Sequence, residues 1–148
     1  MHTVSFKNNR NDNRRLFTNI SFFFLADICK NYQNLTDAER KYNYVTNEYS
    51  PKCDDKLNGW YRFQGAAGTK MVTTCPAMYR CGATRPAWLN EDHPTVAKGK
   101  VTRKVCIRMD KVCCDKSASI EVKNCGSYYI YNLKGLIKHC DARYCGTD

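Results

Sequence analysis

No segment of this sequence is long and apolar enough to span a bilayer. The one sustained apolar run, Leu16 to Leu25, is about half of the ~20 residues a membrane helix needs, so no transmembrane segment is expected. The signatures of common catalytic and nucleotide sites are also missing: there is no Gly-x-Ser-x-Gly nucleophile turn and no glycine-rich phosphate loop after a strand. Histidine is scarce, with only His2, His93 and His139 present. His93 has Asp92 beside it, but adjacency in sequence is not triad geometry. Glu91 and Asp92, as consecutive residues of an extended chain, point to opposite sides and do not flank a glycosidic bond as a carboxylate pair must. The chain therefore offers no catalytic residue and no cofactor site, and it reads as a protein that is not an enzyme.

Zinc is disfavoured on spacing. No Cys-x-x-Cys occurs, and the short intervals run from Cys75 to Cys81, Cys106 to Cys113 and Cys140 to Cys145, unlike the paired ligands of structural zinc sites. What the chain does have is cysteine: Cys29, Cys53, Cys75, Cys81, Cys106, Cys113, Cys114, Cys125, Cys140 and Cys145, ten in 148 residues. An even number at that density points to disulfides formed in an oxidising compartment, hence to an extracellular, secreted protein. The hydrophobic content of 43% includes those ten cysteines and ten tyrosines, so the aliphatic core is thin and covalent links must supplement it. Sequence does not fix the pairing, with one restriction. Neighbouring Cα atoms are about 3.8 Å apart, short of the usual disulfide span, so Cys113 and Cys114 bond to two different partners rather than to each other. Reduction is expected to unfold the domain.

Along the chain, Met1 to Arg15 is polar, rich in Asn and Arg, and reads as disordered. Arg14-Arg15, the apolar run Leu16 to Leu25 and the small residue Ala26 together resemble a secretory signal. Residues 1–26 are thus a disordered and signal-like N-terminus, and the domain proper begins at Asp27. Asn34-Leu35-Thr36 fits the N-glycosylation acceptor pattern, as does Asn19-Ile20-Ser21, the second only if the leader is retained. Asp37 to Tyr44 suits a short helix by its charges, against the extended preference of Tyr42, Tyr44 and Val45. Asn58-Gly59 signals a turn into a strand Trp60 to Gln64, with Tyr61 and Phe63 on one face and Trp60, Arg62 and Gln64 on the other. Thr69 to Cys75 suits a second short strand.

Lys98, Lys100, Thr102 and Lys104 alternate with Gly99, Val101, Arg103 and Val105. As a strand this places Lys98, Lys100 and Lys104 on one side, a candidate ligand surface for acidic extracellular polymers. The plainer reading is an edge strand whose lysines discourage sheet-to-sheet association. Ser119 to Cys125 and Tyr128 to Leu133, joined by Gly126-Ser127, form the clearest hairpin. Its tyrosines are read as packing beside disulfides rather than as a sugar-stacking platform. The net charge of +10 concerns association rather than fold. Nucleic acid is excluded as a partner, since its recognition motifs are absent.

These residues carry a resemblance. Trp60-Tyr61-Arg62-Phe63, Gly65 and Gly68, Cys75, Arg80-Cys81-Gly82, Pro86-Ala87-Trp88-Leu89-Asn90 and His93-Pro94 form a run similar to one extracellular module. Val101 to Cys106, Cys113-Cys114, Ile120 to Cys125, Tyr128 to Leu133 and Arg143-Tyr144-Cys145 continue it. The module is the uromodulin-type cysteine-rich domain, named for its eight or ten cysteines. Cys29, Tyr32, Leu35 and Arg40 resemble the family's leading hairpin, expected at about 27–53, and the resemblance covers about 27–146. It implies a glycoprotein module that precedes a polymerising module and bears a mannose-rich glycan bound by bacterial pili. The glycan position of the family resembles Asn90, but Glu91-Asp92 follow it here and make no acceptor, so that glycan does not carry over.

The expectation is a small disulfide-rich, mainly β fold of antiparallel hairpins with at most one or two short helices. Its expected role is a non-catalytic extracellular binding or spacer module, taking an extracellular protein or glycan ligand within a larger polymerising protein. A structural component of a matrix or mucus polymer and a cationic defence protein are the alternatives.

Overall fold

The computed structural model describes residues 27–136 and 140–148. The signal-like run, Asn19 and His139 lie outside them. The chain divides at Asn31/Tyr32 into two units. In the first, the described part is a 3-10 turn at Ile28–Lys30, closed where the Asp27 carboxylate accepts the Cys29 N–H at 3.1 Å. A short polar side chain that satisfies a free amide at a turn start is the usual reason for such a cap.

The second unit is built on strands β1 (Gln33–Leu35), β2 (Asn58–Phe63), β3 (Lys70–Met71), β4 (Arg85–Leu89), β5 (Lys100–Met109), β6 (Val112–Asn124), β7 (Tyr129–Lys134), β8 (Ala142–Tyr144) and β9 (Gly146–Thr147). Seven form one sheet in the order β1-β2-β7-β6-β5-β4-β8, and β3 pairs with β9. Helical content among the described residues is confined to three-residue 3-10 turns. Asp37 to Tyr44 is not a helix but one such turn, Ala38–Arg40, capped by the Asp37 carboxylate on the Glu39 amide at 3.1 Å. The following chain leaves it through isolated bridges at Lys41 and Val45.

Alternation decides which faces are buried. In β2, Tyr61 and Phe63 point inward; in β7, Tyr131 and Leu133 do the same beside Val122 and Ile120 of β6. The ring of Phe63 meets that of Tyr131 edge-on, at 5.6 Å and 87°, an arrangement favoured by the ring quadrupoles. The hairpin of β6 and β7 forms as expected. Regular pairing ends at Asn124↔Tyr129, and the Cys125 N–H to Tyr128 O bond at 2.8 Å closes the Gly126-Ser127 turn.

Several local expectations are corrected. Residues 27–53 contain no antiparallel strand pair among those described: β1 runs parallel to β2, Leu35 opposite Phe63, a pairing with no signal in the local sequence. Asn58-Gly59 is not a turn but the start of β2, opposite Lys134 and Leu133, and Gly59 supplies the positive φ of 125° there. β5 has β6 along its length, while β4 pairs only with residues 105–107, so the half that carries Lys100 and Lys104 has a strand neighbour on one side alone. Antiparallel pairing dominates, but β1/β2 and β4/β8 are parallel.

Disulfides join what the sheet does not. Cys53–Cys140, Cys75–Cys113, Cys81–Cys145 and Cys106–Cys114 are bonded, with Cα–Cα separations of 4.9, 5.8, 5.3 and 4.7 Å. Cys29 and Cys125 are oxidised as well. The vicinal pair splits between two partners, as chain geometry requires. Cys81, Cys106 and Cys145 are fully buried with Val72 and Trp88 in a second small core, where the Trp88 indole N–H donates to Cys113 O at 2.9 Å.

Candidate functional site

Three features are exposed or charged enough to meet a partner: the sequon at Asn34, the lysine row, and a charge network running from the core to the surface. Asn34 sits in the middle of β1, the outer strand of the sheet, and its side chain is exposed while Leu35 beside it is buried. Alternation along the strand produces that difference, and it leaves the acceptor amide open to solvent. Asn90, just past the end of β4, is also exposed, but without a sequon.

The lysine row does not form as a single ridge. Lys98 ends a 3-10 turn, Val96–Lys98, and Gly99 at φ 62° breaks the chain direction before β5 begins. Lys100 is engaged by Glu121 on the neighbouring strand at 2.6 Å, which lowers the Glu121 carboxyl from its ordinary range through that hydrogen bond. Lys104 is exposed and makes no salt bridge among the described residues. One of three predicted cations is therefore neutralised and one is off the strand.

The charge network has a different origin. Arg40 leaves the turn Ala38–Arg40 and buries its guanidinium, both terminal nitrogens reaching the Asp54 carboxylate at 2.6 Å. Asp54 also accepts the Tyr144 amide at 2.9 Å, and Arg40 donates to Tyr144 O at 3.2 Å. Arg143, equally buried, turns outward and donates to Asp37 at 2.5 Å. Lys52 completes the row at the surface, 2.8 Å from Glu39 and 3.4 Å from Asp37. Burial raises the Asp37 pKa, but the Arg143 hydrogen bond, the Glu39 amide and the two cations outweigh it and hold the carboxyl down at about 2. The row ties the 37–54 segment to β8, and each buried charge has an opposite charge against it.

His93 lies half-buried against β7. Its Nε2 is 2.8 Å from the Tyr131 hydroxyl, while the Met71 N–H donates to the same oxygen at 2.9 Å. The Tyr131 hydroxyl thus bridges the His93 ring and the Met71 amide, and the direction of its bond with His93 is set by the ring's tautomer. Burial first, then the charge of Lys70, lowers the His93 pKa to about 4. The ring also packs on Tyr129 at 4.4 Å. Its partners are tyrosines rather than a nucleophile, and its geometry is that of a neutral core link.

Tyr128 is covered by the Arg62 guanidinium at 3.9 Å from its centroid, and Arg62 also donates to the Tyr32 hydroxyl at 3.1 Å. The tyrosines of the hairpin are thus packing elements rather than an open platform. Among the described residues, the one trio with metal-ligand spacing is Cys53, Asp55 and Cys140. Its two sulfurs are already bonded to each other. Sequence reasoning missed Asp54, Arg143 and Thr46 as buried polar residues; only the placement of Arg143 directly before Tyr144-Cys145 hinted at any of them.

The comparisons with known proteins agree with this architecture. Residues 61–146, from within β2 to the start of β9, match the family model of the uromodulin-like cysteine-rich domain. The chain is 40% identical over 134 residues to the pancreatic secretory granule membrane major glycoprotein GP2 of Canis lupus familiaris, covering 90% of this chain and 25% of that protein. It is 42% identical over 120 residues to uromodulin of Mus musculus, covering 80% of this chain and 18% of that protein. Against GP2 of Homo sapiens the identity is 36% over 120 residues, or 80% of this chain and 22% of the relative. The chain spans a quarter or less of the length of these relatives. With more than half of its residues inside the family model, this chain belongs to the uromodulin-like cysteine-rich domain family.

Proposed function

We propose that the chain is a non-catalytic extracellular module that presents an N-linked glycan at Asn34 to carbohydrate-binding partners. The observation that carries this reading is the position of the sequon. Asn34 is solvent-exposed on the outermost strand of the sheet, so a glycan projects from the side of the scaffold without disturbing the core. The oxidised cysteine framework supports an extracellular setting, and one family relative is itself named a membrane glycoprotein of secretory granules. The acceptor differs from the family position resembling Asn90, which puts the glycan on a different strand of the same sheet. Held by disulfides and buried ion pairs, the domain is a rigid mount, which favours presentation over adaptable capture.

The test is peptide mapping of the protein secreted from a eukaryotic host, before and after an amide-cleaving glycosidase. Conversion of Asn34 to aspartate on treatment, together with loss of lectin binding in Asn34→Gln, is the expected result. An unoccupied Asn34, or lectin binding unchanged in that variant, contradicts it.

A further inference from the structure

The segment following Arg40 arches over the chain at 79–82 and leaves a cleft beneath it. The arch is pinned by backbone bonds: Thr46 N–H to Tyr79 O at 2.9 Å, Cys81 N–H to Tyr44 O at 3.3 Å, and Lys52 N–H to Gly82 O at 2.7 Å. The cleft measures about 240 Å³ and is lined by Glu39, Tyr44, Thr46, Asn47, Ser50, Lys52 and Gly82. Gly82 has φ 76°, and a Cβ there would run into the Arg143 guanidinium and lie 3.3 Å from Glu39. Glycine thus keeps bare backbone at this wall.

One lining group lacks a partner. Thr46 is 6% exposed, and its hydroxyl makes no hydrogen bond. A buried hydroxyl left unpaired is destabilising, and a threonine kept in such a place calls for a ligand or a water to satisfy it. Around it, Asn47 uses its carbonyl oxygen on the Tyr49 amide at 3.0 Å, leaving its NH₂ to donate. Ser50 adds a second hydroxyl. Tyr44, 38% exposed, offers a ring at the mouth.

We infer that this cleft is a binding site for one neutral monosaccharide unit of a glycan. Size, polarity and charge each point there. The volume equals roughly eight waters at ~30 Å³ each and falls below the ~300 Å³ at which drug-sized pockets begin, so a single small ring fits. Hydroxyl and amide groups beside an aromatic ring match a ligand with a hydroxylated edge and a C–H face. The cation of the cleft is already committed: Lys52 is 2.8 Å from Glu39 and 3.4 Å from Asp37. Arg143, behind the Gly82 wall, is likewise committed to Asp37, so both nearby cations are matched by Asp37 and Glu39 and neither is left unpaired to take a sulfate, phosphate or acidic sugar. The site is separate from Asn34 and does not depend on a glycan there.

The experiment is saturation-transfer NMR on the disulfide-intact Asn34→Gln protein, which lacks a glycan of its own at that position. The probes are D-mannose, D-galactose, D-glucose and N-acetyl-D-glucosamine, with D-glucuronate as the charged comparator and inorganic sulfate, which has no proton to observe, added as a competitor. At least one neutral sugar should show saturation at millimolar concentration, weakened at least fivefold by Thr46→Val and by Tyr44→Ala. Valine keeps the shape of threonine and removes only the unpaired hydroxyl, so that variant folds. No saturation with any neutral sugar, tighter binding of glucuronate or sulfate, or binding unchanged in both variants overturns the assignment.

Discussion

The carboxylate of Asp54 receives both terminal nitrogens of Arg40 at 2.6 Å, and the two side chains are 2% and 7% exposed. Paired in this way, the charges are tolerable; separated, one is stranded in the core. Arg40→Met should therefore destabilise the domain by about 3–5 kcal/mol, the usual penalty for breaking a buried pair from one side. Combining it with Asp54→Asn should cost clearly less than the sum of the single changes, because the stranded charge is then removed. Urea unfolding of the two singles and the double measures both, and simple additivity contradicts the account.

His93 predicts a pH dependence with a definite sign. Its folded pKa is about 4 against an ordinary 6.5, so between those values the unfolded chain binds a proton that the folded chain refuses. Stability is then fully present above about pH 6.5, falls as the pH is lowered through this window, and levels off below about 4. Lys70 and Arg103 reinforce the depression and Asp92 opposes it. Asp37 adds a separate loss only between 3.8 and about 2. The fall in melting temperature of the wild type across this window should flatten in His93→Gln, which has no imidazole to protonate. A ring titrating near 6.5 by NMR contradicts the buried, neutral assignment.

Gly146 is held by close approach rather than by φ. A Cβ there would collide with the Ala67 carbonyl oxygen and stand 2.8 Å from the Phe63 ring, at the point where β9 pairs with Met71. Gly146→Ala should cost about 1–3 kcal/mol, the range for overpacking a tight interior. Hydrogen exchange should show the loss first at Thr69 and Val72, whose N–H groups donate to Thr147 O and Cys145 O on either side of Gly146 at 2.8 and 3.0 Å. A thermally neutral alanine contradicts the packing described.

The Cys53–Cys140 and Cys81–Cys145 bonds should respond differently to mild reductant. Cys140 is exposed, whereas both sulfurs of the second bond are fully buried, and exchange requires access by the attacking thiolate. Mass mapping after brief treatment should find alkylated Cys53 and Cys140 while Cys81 and Cys145 remain bonded. The reverse order contradicts the burial pattern.

Much of the sheet was legible because its signals are local. The β6–β7 hairpin follows from alternation of Ile120 and Val122 with charged residues and from the Gly-Ser turn. β4 was legible as a motif but not as a strand, since Pro86 argues against one. The structure shows why proline is tolerated: Arg85 and Ala87 make the backbone bonds toward β8, to Asp141 and from Cys145. The missing N–H of Pro86 thus faces β5, whose pairing with β4 begins only at Ala87. The charge network was not legible. Asp37 and Arg143 are 106 residues apart, and nothing local distinguishes them from solvated surface charges. The alternation does not extend to Lys98 for a local reason, the positive φ of Gly99, which a period-two pattern alone does not register.

The account rests on cysteines bonded in a specific pattern around a tyrosine-rich sheet. Peptide mapping of the native, non-reduced protein tests it most directly. It should recover Cys53–Cys140, Cys75–Cys113, Cys81–Cys145 and Cys106–Cys114 as linked peptides, with no alkylatable thiol. Free thiols, stoichiometric zinc, or a peptide joining Cys113 to Cys114 would contradict it.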